Sequence, residues 1–176
     1  SETFSGGQYI YNMDGELFDA LPFIPKTSRN EQHKTNFQKL ESLDNLEGGS
    51  LSGSLSVAGN WTNNGTCLPG SSTVTFNGTT SKNINGTAAT QDFYNVTVAL
   101  TAGQTLSVAG STTTLNTNNL TMTTGNFTAG TAATMNVSGD LTISSGTYTA
   151  GTNTNLTGSL SNAGTWASAA GRSINF

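Results

Sequence analysis

Apolar residues in the second part of this chain recur at long, nearly constant intervals. The segment GNFTAG at 125–130 returns as GTYTAG at 146–151 and as GTWASA at 164–169. Alignment on these segments gives three apolar columns with spacings of 18 to 21 residues. The columns contain Leu115, Met135, Leu156 and Ile174; Leu120, Leu141 and Leu160; and Phe127, Tyr148 and Trp166. Self-similarity at a fixed period of this size is typical of a repeat fold.

The residues between the columns follow the period of a β-strand. LSVAG at 55–59 returns at 106–110, and the stretches at 70–78 and 92–100 alternate apolar and polar residues. A single short coil cannot bury its own apolar residues, but stacked coils bury them in continuous ladders. The sequence therefore predicts an all-β fold, a parallel β-solenoid of about six coils of about 20 residues. The repeat domain covers residues 50–176, and the pattern leaves the coil register over 62–114 open.

Residues 1–49 do not follow this pattern and form a separate N-terminal unit in the prediction. Ser28 and Glu31 have the spacing of a capping box that opens a helix. Phe37 and the three leucines that follow it at intervals of three, Leu40, Leu43 and Leu46, would line one face of that helix. Gly48 suits the position just after the helix ends. We expect a mixed unit that contains a short helix.

Two roles for this N-terminal unit stay open. It could cap its own solenoid, because exposed strand edges pair with other chains unless they are covered. It could instead be an assembly arm that docks on the next subunit. The sequence stops inside a repeat, which favours addition of a neighbour at that end or a fragment of a longer protein. The candidate assembly contacts are Phe4, Tyr9, Tyr11, Phe18, Phe23, Ile174 and Phe176.

Composition and charge exclude several classes of protein. Only 9% of the residues are charged, the formal net charge is −4, and there is 1 Cys. One cysteine cannot form a disulfide framework, and six basic residues in an acidic chain do not suit a nucleic-acid partner. No apolar run is long enough for a transmembrane helix. Eight of the ten acidic residues precede residue 51, and the repeat region keeps only Asp92 and Asp140.

Candidate chemical sites are weak throughout the sequence. A catalytic carboxylate pair would need Asp92 and Asp140, which lie 48 residues apart in different coils. His33 is the only histidine and lies in a polar stretch, where we expect it to be exposed. Cys67 is expected as a buried or half-buried thiol, with an intermolecular disulfide as the alternative. We therefore expect no catalytic residue, cofactor or metal, and no calcium site of the aspartate-rich type.

Two further features concern polar residues that we expect at the surface. Nine Asn-x-Ser/Thr triplets occur, only a few more than the abundance of these residues produces by chance. Thr-x-Thr segments such as Thr121–Thr123 and Thr147–Thr149 raise ice binding as a third function, but these segments do not repeat at one fixed coil position. We therefore rank an ice-binding module below the two functions given next.

The strings NVSGDLTISSGTYTAG, GSLSVAGNWTNNGTC and STVTFNGTTSKNI resemble the degenerate repeats of bacterial cell-surface β-solenoid proteins, such as adhesins, filamentous-haemagglutinin-like proteins and autotransporter passengers. The resemblance covers about residues 50–176 and implies a right-handed parallel β-helix at the cell surface. It carries no catalytic residues. Together these features favour a non-enzymatic extracellular subunit that polymerises head to tail into a filament. The alternative is an adhesin segment that binds glycan, matrix or another surface protein.

Overall fold

The chain winds into a stack of parallel coils. The computed structural model describes residues 39–40, 43–46, 49–51, 53–168 and 170–176. Over these residues it shows a parallel β-solenoid of about six coils of about 21 residues, with no helix among them. Each coil contributes three short strands, and a further set of three precedes the first full coil. The predicted fold class is therefore confirmed.

The strands are β1 (Lys39–Leu40), β2 (Leu43–Leu46), β3 (Gly49–Ser50), β4 (Ser54–Val57), β5 (Trp61–Asn63), β6 (Cys67–Leu68), β7 (Thr73–Phe76), β8 (Lys82–Asn85), β9 (Thr90–Asp92), β10 (Asn95–Ala99), β11 (Thr105–Val108), β12 (Thr114–Thr117), β13 (Asn119–Thr124), β14 (Asn126–Thr128), β15 (Thr134–Val137), β16 (Leu141–Ile143), β17 (Thr147–Thr149), β18 (Asn153–Leu156), β19 (Leu160–Asn162), β20 (Thr165–Ala167) and β21 (Ser173–Asn175).

Each strand pairs with the equivalent strand of the next coil, which gives three walls. The first sheet has the order β1-β4-β7-β10-β13-β16-β19, and the second has the order β2-β5-β8-β11-β14-β17-β20. The third wall is divided into a pair, β3-β6, and a sheet of five strands, β9-β12-β15-β18-β21. Parallel pairing at every step keeps each coil in the same orientation as its neighbours, so side chains of one kind stack in columns.

Strict alternation decides which side chains form the core. In β7, β12 and β15, for example, half-buried positions alternate with buried ones. The inward side chains of all three walls meet in one apolar cluster along the axis. Its ring ladder runs through Phe127, Tyr148 and Trp166, with ring centroids 5.5 Å and 4.6 Å apart. Because each inward residue packs against the coils before and after it, no coil is stable alone.

The second and third predicted columns lie in register, as their spacing predicts. Pairing joins the members of the second column across β13, β16 and β19, and those of the third across β14, β17 and β20. The first column is different beyond Met135. Leu115 lies opposite Met135, but Met135 lies opposite Thr154, and Leu156 lies opposite Val137.

The first column was therefore misaligned by two residues at Leu156, which still points inward. Ile174 also follows Thr154 and not Leu156. The physical reason is that the coils differ in length: Asn136 and Asn155, which occupy equivalent positions, are only 19 residues apart. Shorter corners absorb this difference without changing the side of the wall on which a residue lies.

The predicted helix is wrong where the structure describes it. Lys39–Leu40 and Leu43–Leu46 are strands that pair in parallel with β4 and β5. An apolar residue at every third position suits a helix face, but it also suits two short strands separated by a corner. Pairing with the next coil supplies hydrogen bonds that favour the second arrangement. The capping box at Ser28 and the residues before 39 lie outside the described part.

Candidate functional site

The third sheet carries a ladder of side-chain amides on its outer surface. Asn175 donates to Asn155 (2.8 Å), Asn155 to Asn136 (2.7 Å), Asn136 to Asn116 (2.7 Å), and Asn116 to Asp92 (2.7 Å). Each amide uses Nδ2 as donor and Oδ1 as acceptor, so the ladder has a direction. It ends at the carboxylate of Asp92, and no described residue donates to Oδ1 of Asn175.

Side-chain oxygens also hold the starts of strands in the following coil. Oδ1 of Asn119 accepts from the backbone N–H of Asp140, and Oδ1 of Asp140 accepts from that of Ser159, both at 2.8 Å. Oδ1 of Asn126 accepts from the N–H of Thr147 at 2.9 Å. These bonds satisfy backbone groups at the corners, where the sheets do not pair them.

A row of hydroxyl groups runs along the outer surface of the first sheet. The register places six serine and threonine residues opposite one another in successive coils: Ser56, Thr75, Thr97, Thr121, Thr142 and Ser161. We call this set the hydroxyl row. In contrast to the amide ladder, none of its six hydroxyl groups forms a hydrogen bond with another described residue. At about 4.8 Å per coil the row is about 24 Å long.

The C-terminal end of the described stack is an open coil edge. β19, β20 and β21 are each the last strand of their sheet, so one edge of each is unpaired among the described residues. Inward residues lose cover here: Leu160 is 38% exposed, although Leu141 in the same column is fully buried. Trp166 and Ile174 are only partly buried against the core, and Phe176 is 82% exposed.

A buried polar cluster lies where the third wall is divided. Oε1 of Gln91 accepts from Nε1 of Trp61 (3.2 Å) and from Nδ2 of Asn63 (3.0 Å). Its Nε2 donates to the carbonyl of Asn85 (3.2 Å) and to the hydroxyl of Thr112 (3.3 Å). Gln91 is 1% exposed, and these four bonds satisfy its amide without water. The apolar columns read from the sequence do not include Gln91, although it lies opposite Leu115 on the inner side of the third sheet.

The isolated chemical candidates are not brought together. Asp92 ends the amide ladder on the third sheet, and Asp140 lies at the corner before β16, so they form no carboxylate pair. Cys67 is buried at 4% exposure in β6. The sequence predicts a buried or half-buried thiol here, and the burial of Cys67 disfavours the alternative, an intermolecular disulfide. The described residues contain no group of three or more metal-ligating side chains.

Several predicted sites lie outside the described residues. These are His33 and the aromatic candidates Phe4, Tyr9, Tyr11, Phe18 and Phe23. Among the described residues, no helix is long and apolar enough to span a membrane.

The structure places the two threonine segments on different walls: Thr121–Thr123 lies in β13 of the first sheet, and Thr147–Thr149 is β17 of the second. Single threonines stack in register, as Thr121 does with Thr97 and Thr142, but the two Thr-x-Thr segments do not share one coil position, as the sequence predicts. The register also explains the triplets around Asn119, Asn126, Asn136 and Asn155, since these amides form the ladders between coils.

Comparison with known proteins adds no identity. No family model, curated protein or solved structure matches the chain. The β-solenoid repeat fold therefore rests on the structure itself.

Proposed function

We propose that this chain is a non-enzymatic structural subunit of the bacterial cell surface, which joins copies of itself end to end into an extracellular filament. The observation that carries the proposal is the open coil edge formed by β19, β20 and β21. Extracellular location is supported by the resemblance of the repeats to cell-surface solenoids, and a structural role by the continuous ladders.

An added coil would find both backbone and side-chain partners at this edge. Unpaired strand edges bind further strands through main-chain hydrogen bonds. The added coil would cover the exposed parts of Leu160, Trp166 and Ile174. In the preceding coil, the equivalent residues are covered in the same way. Oδ1 of Asn175 would accept one more amide donor and extend the ladder.

Copies that stack in this way would form a polymer and not a closed dimer. All described strands pair in parallel, and β1, β2 and β3 form the opposite end of the stack. The two ends of the stack therefore differ, and each contact joins the end with β19, β20 and β21 of one copy to the end with β1, β2 and β3 of the next. Such a head-to-tail contact repeats without closing. Seven sets of strands, at about 4.8 Å each, predict an axial repeat of about 34 Å per copy.

The test is electron microscopy and sedimentation of the 176-residue chain. We expect filaments for the wild type and monomers for Ile174→Lys, which places a charge at an inward position of the open edge. Ser173→Lys is the matched control, because Ser173 is the exposed outward neighbour in the same strand. Circular dichroism checks that each variant is folded. A wild-type chain that stays monomeric at high concentration would refute the proposal.

A further inference from the structure

Three copies of the tripeptide Asn-Gly-Thr lie in the solenoid, and the fold holds them in different ways. They start at Asn64, Asn77 and Asn85. An asparagine before glycine is open to attack by the next backbone nitrogen on its side-chain amide, since glycine has no side chain to hinder the approach. Because the local sequence is identical, any difference in reactivity between the three copies comes from the fold.

The first copy is fixed on both sides of the peptide bond between its asparagine and its glycine. Oδ1 of Asn64 accepts from the backbone N–H of Thr87 at 3.0 Å, and the carbonyl of Asn64 accepts from the hydroxyl of Thr87 at 3.4 Å. The N–H of Gly65 donates to Oδ1 of Asn63 at 3.0 Å. The attacking nitrogen and the amide that it would attack are therefore both occupied.

The third copy is fixed through its asparagine, which is the last residue of β8. Oδ1 of Asn85 accepts from the hydroxyl of Thr62 at 2.8 Å. The backbone carbonyl of Asn85 accepts from Nε2 of Gln91 at 3.2 Å, within the buried polar cluster. Rotation of this peptide group would therefore break a bond to the core as well as one on the surface.

The second copy has none of these bonds. Asn77 is exposed in the corner after β7, and no described residue forms a hydrogen bond with its side chain. The peptide group between Asn77 and Gly78 also has no described hydrogen-bond partner, at either its carbonyl or its N–H. Only the groups on either side are bonded, each at 3.1 Å: the N–H of Asn77 donates to Val57. The carbonyl of Gly78 accepts from Thr101. This peptide plane can therefore turn while its flanks stay in place.

We propose that Asn77 is a site of spontaneous covalent modification in the folded protein, where its amide is converted into aspartate and isoaspartate. The nitrogen of Gly78 gives its proton to hydroxide and attacks Cγ of Asn77. The new C–N bond closes a succinimide ring, and Nδ2 takes a proton from water and leaves as ammonia. Water then opens the ring: attack at Cγ gives aspartate, and attack at the backbone carbonyl carbon gives isoaspartate. The net change adds one water and releases one ammonia, without an oxidant or reductant.

The modification should loosen the corner in which it occurs. A Cβ at Gly78 would collide with the carbonyl of Ala58, so the fold requires glycine after Asn77. Isoaspartate continues the chain through its side chain and adds one carbon to the backbone between the bonds to Val57 and Thr101. It also adds a negative charge. The corner joins three successive coils, so the stack loses stability with time, and this effect does not depend on the proposed function.

Ageing of the 176-residue chain in heavy-oxygen water at mildly alkaline pH tests the proposal. Peptide mapping by mass spectrometry after digestion in ordinary water counts the heavy oxygen that entered each site. We expect Asn77 to react at least about tenfold faster than Asn64 or Asn85, which corresponds to about 1.4 kcal/mol in the barrier. In urea the three rates should become similar, because the unfolded copies share one local sequence.

Asn77→Gln is the matched control, because glutamine keeps the amide but would have to close a larger ring. Aged wild type should unfold at a lower urea concentration than fresh wild type, whereas Asn77→Gln should not change on ageing. Equal labelling of the three sites in the folded chain, or fastest labelling at Asn64 or Asn85, would overturn the assignment. Labelling of Asn77 in urea but not in the folded chain would also overturn it, since the corner would then protect the amide.

Discussion

Replacement of Gln91 by leucine tests whether the buried polar cluster stabilises the stack. Leucine has a similar size but offers no acceptor, so the indole N–H of Trp61 and the amide of Asn63 lose theirs. Both side chains are buried, at 0% and 1% exposure, so water cannot replace the lost acceptor without opening the core.

The expected loss follows from the cost of an unsatisfied buried group. Each costs about 1–3 kcal/mol, and two such donors give about 4 kcal/mol for Gln91→Leu. The same substitution should cost less in a Trp61→Phe background, because phenylalanine has no N–H to leave unpaired. We expect the difference to be about 1–3 kcal/mol, which is the share of one donor.

Urea unfolding followed by far-ultraviolet circular dichroism measures these free energies, and the probe does not depend on the tryptophan that is replaced. Wild type, the two single variants and the double variant complete the cycle. A loss below about 1 kcal/mol for Gln91→Leu, or an equal loss in both backgrounds, would show that the cluster does not hold the donors as described.

Three further predictions concern a corner, a phenol and the amide ladder. Gly130 has a φ of 54°, and a Cβ at this position would collide with the carbonyl of Val108. Gly103 also has a positive φ, 83°, but no atom lies within 4 Å of a Cβ there. Gly130→Ala should therefore lower the melting temperature far more than the control Gly103→Ala. Burial raises the pKa of Tyr148 from 10.0 to about 12. The unfolded chain then loses this proton first, so the stability that the phenol contributes is full below pH 10 and is lost as the pH rises through 12, by about 2–3 kcal/mol. Tyr148→Phe should remove this fall in a denaturation series against pH. Asn136→Ala removes two amide bonds on a half-buried surface and should cost about 1–2 kcal/mol in urea unfolding.

The sequence alone predicts the walls of the solenoid well, because burial acts on every coil in the same way. Leu120, Leu141 and Leu160 could be placed in one column since each must point to the axis. The coil length between them varies little, and the recurring segment that reads GTYTAG at 146–151, which contains β17, marks it. Where a corner is shorter, as between Met135 and Leu156, counting residues assigns the wrong partner in the next coil. Each residue is still assigned correctly to the inner or the outer side of its wall.

The outer surface was harder to predict, because polar residues have no burial pattern that fixes their partners. The signal for the amide ladder was present as Thr-x-Asn in β12 and β15, but only the register shows that Asn116 and Asn136 face each other. Gln91 could not be predicted for a different reason. A polar residue points inward only where specific hydrogen-bond partners exist, and the sequence does not show those partners. The strands β1 and β2 fall where the sequence predicts a helix, because pairing with the next coil outweighs local preference.

The low charge of the repeat region follows from the same stacking. Two like charges at about 4.8 Å in one column would repel by about 1 kcal/mol in water and by about 3 kcal/mol at an effective dielectric constant of 20. A neutral amide in that place gains about 1 kcal/mol from each bond to its neighbour. Asp92 avoids the penalty by occupying the end of its ladder, with Asn116 as donor beside it, and Asp140 lies between Asn119 and Ser159, which are both neutral. Stacking therefore selects against a repeated charge in one column, and each of the two aspartates of the repeat region lies in a column whose neighbouring coils supply neutral donors.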